Sequence, residues 1–486
     1  MTQSHVEPVT AAEDAGDGSR PPAGRGWLDR YFHITRRRST IGQEVRGGLT
    51  TFMAMAYILL LNPVLIGGAD VAGHRMPHSA LITATALGGA VTTLLMGFVG
   101  KVPLALAAGL SVAGVMSTQV ATRMTWPQAM GMSVIYGLVI VVLVVSGLRE
   151  AIMNAIPLPL KHGITIGIGL FIAVIGLVNA KFVGLGTPSD PVTLGVGGHL
   201  QGWPVLVFCV TLVAIFMLQA RNVRGAVLLG IVGGTVLAVI VQAAGLTKAA
   251  DWGLNVPQLP HNPLSMPDFS LFGHVEFGGF GQVGYMTVAM IVFTLVLAGF
   301  FDAMATIIGV GTEAGLADKQ GRMPGLSKAL LIDGAGGAIG GVVGGSGQTV
   351  FIESATGVAE GARTGLSSVV TGVLFACALF FTPVMSIVPT SVAAAALVVI
   401  GSMMMGNARH VDWGDRSIGI PVFLTVALMP FTYSITPGVG AGVISFCAIK
   451  LAQGKWREPG AFMWVLSVVF IVYFALHPLQ SWLGVH

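Results

Sequence analysis

Apolar segments long enough to cross a bilayer follow one another through most of this chain. A span needs about 20 mainly apolar residues. Such segments lie near 47–68, 79–99, 127–147, 163–180, 203–219, 224–245, 284–311, 327–345, 364–387 and 389–406. A pair at 417–433 and 436–452 is split by Thr436-Pro437-Gly438, and a last segment covers about 460–482. Only 9% of residues are charged and 54% are hydrophobic, too little charge to cover the surface of a soluble protein of 486 residues. The 68 glycines follow no collagen period and suit close helix packing and broken helices. The reading is an all-α polytopic membrane protein.

Two shorter apolar segments, near 109–122 and 353–362, each follow an extended, turn-bounded stretch: VPLALAAG and GGSGQTVF. Extended backbone at membrane depth is tolerated only when it is buried in protein or lines a cavity. Seven segments in the first half, an odd number, make the second half enter the membrane in the opposite sense. Interrupted segments at corresponding places in two halves are the sequence mark of a transporter site. About 14 segments in two inverted sevens are expected, with two short half-helices preceded by extended strands.

The expected divisions are a disordered cytoplasmic tail (1–26), an interfacial helix (27–46), a first transmembrane repeat (47–245) and an extracytoplasmic loop (246–283). A second repeat (284–452) and a C-terminal apolar segment with its tail (453–486) follow. With the N-terminus cytoplasmic, the outer loops keep only Arg75, Arg123, Lys181 and Lys248, and every other Lys and Arg is inside. The sequence leaves open whether 460–482 crosses.

The stretch from Phe293 to Gly361 carries the chemistry. Asp302 in GFFDAMAT and Glu353 in FIESATG sit in apolar, glycine-dense surroundings. A charge at the bilayer centre costs roughly 2.5–3.5 kcal/mol on insertion scales, so each acid is a functional-site hypothesis by default. Such a carboxylate can accept N–H groups of a polar ligand, and desolvation moves it towards binding and releasing a proton. The alternatives are an acid pairing with a neighbouring donor at 302 and a first-turn carboxylate serving its helix dipole at 353. Gln348 and Thr349 offer uncharged hydrogen bonds to a heterocycle, or else satisfy the extended backbone. Ser111 is the lone hydroxyl at the first crossover and reads as structural more readily than functional. Asp333 reads as structural, His162 and His410 as interfacial, and Glu44 and Arg46 as boundary residues.

Other chemistries lack support. There is no Walker A lysine motif, HExxH or GxSxG. Cys209, Cys377 and Cys447 lie in apolar runs without CxxC spacing, which offers neither a disulfide framework nor a zinc site. The N-terminus is too polar and acidic for a cleavable signal peptide. No cofactor, metal or nucleic-acid partner is expected, and no catalytic constellation is present.

TTFMAMAYILLLNP, GTEAGLADKQGRMPGLSKALLIDGAGG, FIESATGVAEGARTGLSSVV and LMPFTYSITPGVGAG resemble the AzgA-like purine permeases, a branch of the type-2 nucleobase–cation symporters with the uracil-permease fold. The resemblance runs from about Ile41 to Gly460. It implies fourteen segments split into core and gate domains, and proton-coupled uptake of adenine, guanine or hypoxanthine across the plasma membrane. It places substrate between segments 3, 8 and 10, and a homodimer is a family-level expectation. Glu353 matches the substrate-binding acid of segment 10. Asp302 matches the second acid of a segment-8 pair whose first, substrate-binding acid falls on Gly299. The Asn expected in segment 3 falls on Ala113, and the Thr and Gly expected after the segment-8 acid fall on Ala303 and Ala305. The expected substrate-binding set is thus Glu353, Gln348, Asp302, Gly299, Ser111 and Thr349, with Asp302 and Glu353 coupling the proton. A same-fold carrier of another small metabolite or anion, or a non-transporting sensor or channel, is the alternative.

Overall fold

The computed structural model describes residues 26–148, 156–185, 192–223, 225–252, 255–260, 262–314 and 326–483. Among them, nine helices are long and apolar enough to cross a membrane, and four shorter apolar helices accompany them.

The first seven segments are α2 (Ile41–Met55) continued by α3 (Ile58–Ile66), α4 (His78–Leu95), strand β1 (Leu106–Ala108) feeding α5 (Leu110–Val115), α6 (Trp126–Val145), α7 (Leu158–Asn179), α8 (Trp203–Ala220) and α9 (Ala226–Ala243). A small hairpin of β2 (Val183–Leu185) and β3 (Val192–Leu194) joins α7 to α8. The second seven are α10 (Tyr285–Glu313), α11 (Leu326–Val343), strand β4 (Gln348–Val350) feeding α12 (Ser354–Ala359), α13 (Gly365–Ala378), α14 (Thr390–Met404), α15 (Arg416–Phe431) and α16 (Ile435–Ala452). A final helix, α17, covers Gly460–Leu483.

The packing maps onto itself when the two sets are exchanged. α6 packs on α11 as α13 packs on α4, and α2 meets α13 as α10 meets α6. α7 lies on α15 as α14 lies on α8, and α8 pairs with α9 as α15 pairs with α16. The half-helices obey the same rule: α12 packs on α2, and α5 on α10. β1 and β4 pair antiparallel, Leu106 opposite Val350, Ala107 opposite Thr349 and Ala108 opposite Gln348. An odd number of crossings per repeat requires that opposite sense. The structure is therefore an inverted repeat of seven and seven. Segments one to four of each repeat form a core around the strand crossover, and segments five to seven form a second bundle beside it.

The crossover puts irregular backbone at mid-depth, so its polar groups need partners. Thr93 on α4 donates its hydroxyl to the Leu106 carbonyl at 2.8 Å and accepts the Leu106 N–H at 2.9 Å. Ser354 accepts the Ala105 N–H at 3.0 Å, and Ser368 donates to the carbonyls of Val102 and Leu104. Between the strands, the Gly109 N–H reaches the Gly347 carbonyl at 2.9 Å. A Cβ at Gly109 would lie 2.6 Å from Thr349 Cγ2, so the strands can approach this closely only with glycine there.

One boundary differs from the sequence expectation. The interfacial helix expected over 27–46 is a six-residue helix, α1 (Trp27–Phe32), closed by His33 in the left-handed region at φ 58°. Residues 41–46 instead open α2, where Thr40 caps the helix by accepting the Gln43 N–H. That cap restarts the helix after the break.

Candidate functional site

The crossover brings Asp302 and Glu353 to the same region. α10, which carries Asp302, packs against both half-helices, α5 and α12, and against β4. Asp302 Oδ2 accepts the Ser111 hydroxyl at 2.8 Å, and Ser111 is fully buried at the start of α5. Glu353 stands at the N-cap of α12, and its Oε1 accepts the hydroxyl of Tyr57. Tyr57 is the residue between α2 and α3, where the first segment breaks, and is 1% exposed.

Each acid thus sits on the second repeat and is held by a hydroxyl from the first. Both carboxylates lie deep among protein atoms yet retain intermediate exposure. A half-helix start adjoins each acid; at α12 the first N–H groups, of Ser354, Ala355 and Thr356, already bond to the carbonyls of Phe351, Ile352 and Glu353. The arrangement can bind a polar heterocycle through the heterocycle's own N–H donors and lodge a proton on either carboxylate.

The other sequence-named residues divide. Thr349 donates its hydroxyl to Asp333 Oδ1 at 2.9 Å, so Asp333 anchors the strand from α11. Gln348 donates through Nε2 to the Ser346 carbonyl at 3.0 Å, and its amide packs where a Cβ on Gly88 of α4 would sit. The amide therefore satisfies the extended backbone, while its Oε1 is buried without a partner among the described residues. Gly299, one turn before Asp302, faces α6 and α5: a Cβ there would meet Tyr136 Cε2 at 3.3 Å, Ile140 Cδ1 at 3.7 Å and Val112 Cγ2 at 3.7 Å, the last beside Ser111. Ala113 and Ala303 are fully buried packing residues; the side chain of Ala305 lies outside the described residues. His162 and His410 lie together, ring centroids 5.1 Å apart, linking α7 to the turn after α14.

Two features were missed in the sequence. Tyr57 is one, because its partner lies 296 positions away. The other is Glu44, which is fully buried and accepts the N–H groups of Arg363 at 2.8 Å and Thr364 at 3.2 Å. Arg363 donates to the carbonyls of Val358 and Ala362 at the end of α12, and Arg46 pairs with Glu360 at 2.9 Å. This latch fixes the far end of the half-helix that presents Glu353. Thr364 of GARTG caps α13, and its backbone partner Glu44 lies far off on α2.

A cavity of about 370 Å³ opens on the face where α3 ends and α14 begins. The acids do not line it. Tyr433 does, and its ring packs edge-on against Phe171, centroids 5.6 Å apart. Phe171 in turn touches the position of Gly114, between Ser111 and Ser117 on the third segment.

An inverted seven-plus-seven helical fold with acids at a central strand crossover is the architecture of a membrane carrier. The chain belongs to the Permease family, whose sequence model (Xan_ur_permease) matches residues 42–439. It is 35% identical over 447 residues to the guanine/hypoxanthine permease PbuO of Bacillus subtilis (strain 168), covering 91% of this chain and 99% of that one. It is 34% identical to the adenine permease AdeP of Escherichia coli (strain K12), covering 92% and 97%. Among solved structures, the transmembrane domain of the cyanobacterial bicarbonate transporter BicA shares the fold at a TM-score of 0.59 and 16% identity, covering 83% of this chain and 97% of that one. The protein is a multi-pass membrane permease.

Proposed function

We propose that this permease is a secondary active transporter that imports a purine nucleobase together with a proton. The observation that carries the reading is the pairing of Glu353 with Tyr57 and of Asp302 with Ser111 around one strand crossover. In this reading Glu353 accepts N–H groups of the base, and Asp302 holds or passes the proton. Gln348 and Thr349 hold the strand that carries the site. The permeases of guanine, hypoxanthine and adenine among its relatives support this substrate class.

Transport follows from moving one bundle against the other around a fixed central site. Protonation of a buried carboxylate removes a charge that would otherwise have to be carried through a closed, dry state. In this reading the N-terminus is cytoplasmic, which the excess of Lys and Arg on one side of the spans supports, and the carrier works in the plasma membrane.

The test is uptake of radiolabelled guanine, hypoxanthine and adenine into cells lacking their own purine carriers. Saturable uptake of at least one base, competed by that base unlabelled and collapsed by an uncoupler, is expected. No uptake by well-expressed protein would overturn the reading.

A further inference from the structure

The cavity of about 370 Å³ is a built polar site, separate from the acids. Thr390 and Ser391 line it at the start of the 15-residue helix α14, behind the N-cap Pro389. The first N–H groups of a helix have no partner within it. The hydroxyls of both residues are also buried without a hydrogen-bond partner among the described residues, and Ser391 is only 3% exposed. An unpaired buried hydroxyl is unfavourable unless something occupies it. Exposed Arg75, Lys181 and Asp251 also line it, the Asp251 carboxylate already accepting from the Thr247 hydroxyl and the Lys248 N–H, and the rings of Trp252 and Tyr433 supply flat apolar walls. The donor-rich end and aromatic walls fit a flat heterocycle bearing a carbonyl oxygen.

The same elements lead from this cavity to the acids. Val64 lies seven residues beyond Tyr57 on α3, and Ser117 six beyond Ser111 on the third segment; both line the cavity. At 1.5 Å per helical residue the two places are about 10 Å apart along each element. The Phe171–Tyr433 contact stands between them.

We infer that this cavity is an entry subsite, in which the start of α14 holds the carbonyl of an oxopurine before the base passes Phe171 and Tyr433 to Glu353. The inference rests on the transporter reading above and adds substrate preference to it. A 6-oxo group takes up the N–H and hydroxyl donors, whereas the 6-amino group of adenine presents further donors to them. Guanine and hypoxanthine therefore gain from the subsite and adenine gains less.

The experiment compares initial uptake of hypoxanthine and adenine by wild type, Ser391→Ala and the near-isosteric Thr390→Val in the full-length protein. Either substitution raises the KM for hypoxanthine about 3–10-fold, from the loss of one hydrogen bond of ordinary strength. It raises the KM for adenine less and moves the maximal rate less than the KM. A folding defect would instead lower the maximal rate for both bases alike. If the wild type takes up hypoxanthine and both variants keep its KM within twofold, the subsite is refuted while the transporter reading stands. Equal KM shifts for the two bases refute the carbonyl preference. If the wild type takes up no purine, the reading and the subsite fall together.

Discussion

Tyr57 donates its hydroxyl to Glu353 across 296 residues of sequence, joining the break in the first segment to the start of the tenth. The contact crosses from one repeat to the other, as does Ser111 to Asp302. Glu353 is thereby oriented before any ligand arrives, and any movement of α3 relative to α12 must respect or break the bond.

Replacing Tyr57 with Phe keeps the ring and removes the donor. A hydrogen bond to a charged group is worth about 1.5–3 kcal/mol, so kcat/KM for nucleobase uptake falls roughly tenfold or more. Uptake kinetics on Tyr57→Phe and Tyr57→Ala separate the parts: the Ala variant adds a packing defect and lowers folded yield, while the Phe variant lowers transport with yield preserved. Wild-type kinetics in the Phe variant would show that the bond has no part in transport.

Glu44 satisfies two backbone N–H groups that no other described side chain reaches. Glu44→Gln turns one acceptor into an NH₂ facing a donor. The expected loss is about 1–3 kcal/mol of stability, seen as a lower melting temperature in detergent. An unchanged melting temperature would mean that water replaces the carboxylate.

Gly337 lies where α11 crosses α6. A Cβ there would stand 2.9 Å from both Gly137 Cα and Tyr136 Cζ. Gly337→Ala overpacks this crossing, and a cost of about 1–3 kcal/mol follows. Thermal unfolding should register it, whereas Gly233→Ala, with nothing within 4 Å, should leave the transition in place.

Asp268, in the connection before α10, is held below its ordinary carboxylate value, first by hydrogen bonds from Ser270 and also from Ser79 on α4. A lowered value in the folded state means that the charged form stabilises the fold. That stabilisation is full above the unfolded value of 3.8 and is lost as pH falls through the lowered one. The excess stability of wild type over Asp268→Asn should hold constant from neutral pH to about 4 and shrink below it. A difference that grows on acidification would contradict the assignment.

The fold was legible because the bilayer fixes element length and forbids exposed irregular backbone. VPLALAAG and GGSGQTVF could be read as broken segments for that reason, and they pair as β1 and β4. The acids were legible through the cost of burying them. Their partners were not: the Tyr57 and Ser111 bonds join positions 296 and 191 residues apart, which no periodicity encodes. Spacing along one helix cannot say which neighbours face Gly299; in the structure they are Tyr136, Ile140 and Val112. Residues 27–46 read as one helix because amphipathic composition does not reveal the left-handed turn at His33.

The central claim is that Glu353 binds the base and that base and proton move together. Purified wild type and Glu353→Gln, reconstituted in vesicles containing a pH-sensitive dye, test it most directly. Adding the transported base outside should acidify the lumen of wild-type vesicles in step with radiolabelled uptake, and should do neither in Glu353→Gln. Base uptake by wild type without lumen acidification, or equal signals from both proteins, would contradict the account.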